Sequence, residues 1–197
     1  MKVATRWAID TAFDLWQFAH PIKVPTAPVS NQRSCQAPER EWIKCNVYAA
    51  FHAENGTASS GVVLRDHEGR TCGGRASWYE HCLNALTAEV VACRDGLLYA
   101  LERGARRLKM ESDCQVLVRL WTNRANQKSE VDYLLKQMED ISRSFESFDL
   151  SFISRDCNRL AHECARLVSH ENRVEEWLII PPGLREIVEM DCNLVHG

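Results

Sequence analysis

The stretch WIKCNVYAAF, residues 42–51, decides how this chain reads. Ile43, Cys45, Val47, Ala49 and Phe51 alternate with Lys44, Asn46, Tyr48 and, one step beyond the quoted stretch, His52. A period of two turns successive side chains to opposite faces of an extended backbone, so the stretch predicts a β-strand with one apolar face. Just downstream, Asn55-Gly56 supplies a turn and Gly61–Asp66 a second strand. Asp66-His67-Glu68-Gly69 then turns the chain into a third strand, from Arg70 to about Tyr79. Three strands joined by short connections form an antiparallel meander.

Further along, the period changes. Leu86, Val90, Cys93, Leu97 and Leu101 recur at three and four, the spacing of one helix face, and Gly104 stands where a C-terminal glycine would end that helix. Leu108–Glu111 reads as a strand, and Ser112 with Gln115 resembles a capping box opening a helix that carries Val116, Leu117, Leu120 and Trp121. Val131, Leu134, Leu135, Met138 and Ile141 mark another helix. Phe148, Leu150 and Phe152 mark a fifth strand, and Leu160, Ala161, Cys164, Leu167 and Val168 a last helix. The order β-β-β-α-β-α-α-β-α predicts an α/β domain, a five-stranded mixed sheet flanked by helices, over residues 41–170.

Upstream, residues 1–40 hold four of the 6 Pro, which predicts a linker, preceded by a short helix bearing Trp7, Phe13, Trp16 and Phe18. Such an aromatic segment suits packing on the domain, binding of a protein partner, or the stub of a larger parent protein, and the three readings stay open. Residues 171–197 form a C-terminal tail. Across the 197 residues, 45% hydrophobic and 26% charged residues exclude collagen-like and wholly disordered chains. A net charge of -3 excludes coating of nucleic acid by bulk charge, so any such site must be a local patch. No apolar run approaches the roughly 18–20 residues that span a bilayer. The 9 Cys are odd in number and lack the short spacing of a zinc knuckle, and Asp10 and Asp14 interrupt any signal-peptide pattern. Reduced thiols in an intracellular compartment, nuclear or cytoplasmic, are the expectation.

This order of elements, with certain residues, resembles the type 1 ribonuclease H superfamily. It is most similar to the plant branch related to the C-terminal domains of non-LTR retrotransposon reverse transcriptases. The resemblance rests on WIKCNVYAAF (42–51), GVVLRDHEG (61–69), LTAEVVACRDGLLYALERGARRLKMESD (86–113), SRDCNRLAHECARL (154–167) and WLIIPPGLREIVEMD (177–191). It implies a ribonuclease H-like fold, and metal-dependent hydrolysis of the RNA strand of RNA–DNA hybrids as the activity of the family. Two Mg²⁺ or Mn²⁺ ions about 4 Å apart repel strongly, so that chemistry needs four acidic side chains around them.

Carried over by position, the resemblance puts Glu89 and Asp113 at two of the four acids, as metal ligands. The first acid position holds Tyr48 and the fourth holds His162. A phenol with a pKa near ~10 is neutral at pH 7 and bulkier than aspartate, whereas a neutral imidazole can still ligate a metal. The catalytic set the resemblance implies is therefore Glu89, Asp113 and His162. On residue type alone, Glu89 near a helix start is an ordinary dipole partner and Asp113 an ordinary cap. Lys44, Asn46, Arg155, Asn158, Arg159 and Arg166 are the candidate nucleic-acid contacts, toward an RNA–DNA hybrid or double-stranded RNA read by groove shape and 2′-OH groups. Three readings stay open: a weakened metal-dependent nuclease, a catalytically inactive nucleic-acid binder, and a protein-interaction module domesticated from a retrotransposon.

Overall fold

The computed structural model describes residues 36–124 and 129–192, with side chains through Val188. The amphipathic segment expected around Trp7–Phe18 and the linker up to residue 35 lie outside the described residues.

Six strands form one mixed sheet: β1 Trp42–His52, β2 Thr57–Arg65, β3 Thr71–Tyr79, β4 Arg107–Ser112, β5 Ser147–Phe152 and β6 Val174–Trp177. Their spatial order is β5-β4-β1-β2-β3-β6. The meander β1–β2–β3 is antiparallel, and β4 and β5 add in parallel beside β1. The sheet therefore has one strand more than the sequence predicts. β6 pairs antiparallel with β3, Ser77 opposite Val174 and Gly74 opposite Trp177, within the stretch expected as a tail. Four residues containing Glu175-Glu176 give too short an alternation for periodicity to register.

Helices cover both faces. α1 (Ala85–Glu102), α2 (Gln115–Thr122) and α3 (Asp132–Ser142) lie on one side, over Cys45, Val47, Val62, Leu64, Leu108 and Met110. α4 (Arg159–Cys164) and α5 (Arg185–Cys192) lie on the other, where Val63, Ala76, Leu160, Ala161 and Trp177 form a second core. α1 opens on Asn84, whose side chain accepts the Thr87 N–H at 2.8 Å. It closes on Gly104, φ 78°, with Gly104 N–H donating to Leu101 O and Ala105 N–H to Ala100 O. That pair of bonds is the Schellman pattern, which needs a left-handed residue, so the glycine stops the helix as expected. The expected capping box does not form. α2 has Cys114 as its cap with no side-chain bond, and the Ser112 hydroxyl instead accepts the Cys114 N–H at 3.1 Å.

One glycine sets the position of α4. At Gly61, in β2, an added Cβ would strike the Ala161 carbonyl oxygen and come within 2.6 Å of the Ala165 nitrogen. Only a residue without a side chain lets α4 sit this close to the sheet, and Gly61 is the cross-strand partner of Tyr48. The seven described cysteines with free thiols include Cys45, Cys93 and Cys164, each 0% exposed, where they act as small apolar core groups. Among the described residues no helix is long and apolar enough to cross a membrane.

Candidate active site

β1, α1, the loop after β4 and the start of α4 bring together the four positions picked out in the sequence. Tyr48 and His162 touch directly: their ring centroids lie 4.7 Å apart in an edge-to-face arrangement, interplanar angle 82°. Glu89 and Asp113 are close enough for the Asp113 charge to act on Glu89, and His162 acts on Asp113. Tyr48, Glu89, Asp113 and His162 are thus neighbours at one place in the fold.

Asp113 is the pivot. Its side chain is only 4% exposed. Oδ1 accepts the Asn158 amide at 2.7 Å, and Oδ2 faces the Arg155 Nε at 3.4 Å. Asn158, itself 2% exposed, donates also to the Val47 carbonyl at 2.8 Å, so one amide ties β1, the β4 loop and the start of α4. Its backbone carbonyl accepts the His162 N–H, the first turn of the helix that carries the imidazole. Burial raises the Asp113 carboxyl above its ordinary value, against the Asn158 hydrogen bond and the charges of Arg155 and His162.

Glu89 is held in a more hostile setting. Burial pushes its carboxyl well above the usual carboxylate range, and the Asp113 charge pushes it further. The Arg155 charge and the Ala49 N–H work in the opposite direction. Oε2 is buried with no hydrogen-bond partner among the described residues. Burial thus disfavours the charged form of both carboxyls, and the Arg155 guanidinium works against that effect in each.

Several expected contacts lie elsewhere. Lys44 and Asn46 are each 1% exposed and have no surface to present to a nucleic acid. β1 is third of six strands, and side chains of its neighbours β4 and β2 crowd its polar face. There Lys44 lies 3.5 Å from Glu111 and donates to the Gln36 carbonyl, and Asn46 donates to Glu111 at 3.0 Å. Arg65, opposite Lys44 on β2, donates to the Asn46 side-chain Oδ1 at 3.4 Å. Burial of these charges is tolerated only because each has partners. Asn158 is likewise a buried clamp instead of a surface contact. Arg155, Arg159 and Arg166 are exposed, and Arg166 pairs with Glu163 at 3.2 Å while Arg159 makes no ion pair with any described residue. The role of Gly61 as the seat of α4 went unread, although a glycine inside a strand run is the signal for a close backbone approach.

A pair of Mg²⁺ or Mn²⁺ ions does not fit this donor set. Among the described residues no three His, Cys, Asp or Glu side chains are grouped as a metal centre requires. The first acid position presents a phenol packed on an imidazole, and both Asp113 oxygens already have partners.

The mixed sheet flanked by helices has the fold of a ribonuclease H-like domain. Solved structures share that fold: the N-terminal RNase H domain of Rv2228c from Mycobacterium tuberculosis has a TM-score of 0.58 at 18% identity, covering 64% of this chain and 91% of that one. RNase H1 of the archaeon Halobacterium salinarum has a TM-score of 0.59 at 19% identity, covering 64% and 95%. LC11-RNase H1, solved in complex with an RNA/DNA hybrid, has a TM-score of 0.58 at 17% identity over 64% of this chain and 95% of its own. Residues 46–168 match the reverse transcriptase-like family, and the chain belongs to that family. A protein of Arabidopsis thaliana named "Putative ribonuclease H protein" is 38% identical over 77 residues, 39% of this chain. That match takes in 12% of the relative's length.

Proposed function

We propose that this domain binds duplex nucleic acid containing an RNA strand, an RNA–DNA hybrid or double-stranded RNA, and that hybrid cleavage is weakened or lost. The observation that carries the reading is the Tyr48–His162 pair, centroids 4.7 Å apart, where the family resemblance expects two acids. A neutral phenol and an imidazole in edge contact fill that volume without supplying negative charge. Binding is supported by the exposed guanidiniums of Arg159 and Arg166 on and just after α4, suited to phosphate oxygens, and by relatives of the same fold solved with RNA/DNA hybrid.

The test is hybrid cleavage with Mg²⁺ and with Mn²⁺ beside a gel-shift on the same duplex, for the wild type, Y48D, H162D and the double variant. The expected result is retention of the duplex with cleavage at least ~10³-fold below that of the double variant, about 4 kcal/mol of transition-state stabilisation. Y48D should recover more than H162D, because of these two positions only the first bridges both metals in the family pattern. Strong wild-type cleavage that disappears in E89Q overturns the reading. A protein-interaction role is the second reading, favoured by Leu178 and Ile179, 55% and 82% exposed beside the edge strand β6. It takes precedence if no duplex is retained.

A further inference from the structure

The distribution of charge in the cleft has a particular form. Each oxygen of Asp113 is engaged, Oδ1 by the Asn158 amide at 2.7 Å and Oδ2 by the Arg155 Nε at 3.4 Å. Glu89 Oε2 is buried with no hydrogen-bond partner among the described residues, and the same guanidinium acts on Glu89. The Arg155 charge thus acts on both carboxylates, and the Tyr48 and His162 rings pack edge to face beside Asp113. The Arg155 side chain is 54% exposed, and its Nε lies 3.4 Å from the Asp113 carboxylate, which is 4% exposed.

We propose that Arg155 is the resident cation of this site: its guanidinium neutralises the Glu89–Asp113 pair in place of divalent metal and keeps the cleft closed to such ions. The inference rests on the reading of a cleavage-deficient domain given above. The geometry explains the exclusion. A divalent ion on Asp113 Oδ2, at the ~2.1 Å of a Mg–O bond, would lie within about 5.5 Å of the Arg155 Nε. It would meet a like charge there, with the opposite oxygen already committed to Asn158. With only two carboxylates present, the guanidinium supplies much of the compensation that the pair needs.

The experiment titrates Mn²⁺ into the purified full chain and follows the free ion by electron paramagnetic resonance, with no nucleic acid present. The proteins are the wild type, R155A, R155Q, R155K and R155A/D113N. R155Q keeps the length of the stem and the hydrogen-bonding head without the charge, so a folding defect in R155A leaves the test intact. The expected result is Mn²⁺ affinity about tenfold higher in R155A or R155Q than in the wild type, no gain in R155K, and loss of the gain in R155A/D113N. A gain of threefold or more that R155K does not share supports the proposal. A gain below threefold, or an equal gain in R155K, overturns it. Duplex binding and cleavage are measured separately, so failure of the proposed function and failure of this inference produce different results.

Discussion

Replacing Asn158 by Ala should destabilise the domain far more than its position at the edge of a short helix suggests. Asn158 donates to the Val47 carbonyl at 2.8 Å and to Asp113 Oδ1 at 2.7 Å from a site 2% exposed. The neutral bond contributes about 1 kcal/mol and the charge-assisted one about 2 kcal/mol. Against this, the side chain carries a buried Oδ1 with no partner among the described residues, and deleting it returns about 1 kcal/mol. The net loss is about 2 kcal/mol, and for a domain of this size about 4–8 °C in Tm. Urea denaturation at pH 7, followed by tryptophan fluorescence, measures it. N158D sharpens the test, because it sets a second carboxylate against Asp113 and turns the donor to Val47 into an acceptor. N158D should be less stable than N158A at pH 7 and recover as the solution is taken toward pH 4. A loss below about 0.5 kcal/mol in N158A, the range of an ordinary surface change, would refute the clamp.

Three further outcomes follow from the same geometry. Glu89 and Asp113 have folded-state pKa values raised by burial, so their contribution to stability is complete below the unfolded values and is lost as pH rises through the folded ones. E89Q should therefore raise Tm at pH 7, with the advantage shrinking toward pH 4; equal Tm values at both pH values would count against the buried charge. G61A should cost about 1–3 kcal/mol, because α4 must recede by more than ~0.8 Å: the Ala165 nitrogen, 2.6 Å from the new Cβ, needs that much and the Ala161 carbonyl oxygen lies nearer still. Circular-dichroism melting reads that loss, and the ring-proton shifts of His162 report the parting from Tyr48; unchanged values of both contradict the seat. R159A should weaken hybrid binding and reduce the slope of log K against log salt by about 1, as loss of one phosphate contact requires. An unaltered slope removes Arg159 from the interface.

By itself, the sequence determined the elements whose signals are local. The alternation at Ile43–Phe51 fixed β1, the spacing from Leu86 to Leu101 fixed α1, and Gly104 ended it. The order of those elements, with the family resemblance, also brought Tyr48, Glu89, Asp113 and His162 into one cleft. Periodicity reports which residues share a face, and it is silent on what covers that face. Lys44 and Asn46 looked outward because they are polar, yet β4 and β2 flank β1 and supply Glu111 and Arg65 from 65 and 19 residues away from Asn46. β6 was illegible because its pairing with β3 comes from backbone hydrogen bonds, which any four residues can make. The partners of Arg155 and Asn158 also needed the tertiary structure. A charged side chain carries no mark of its counter-charge, and Asp113 stands 45 residues from Asn158 along the chain but 2.7 Å from it in the fold. Chain-local chemistry chose the strands, helices and turns; contacts between distant segments decided which polar groups are buried, which are paired, and which face the cleft.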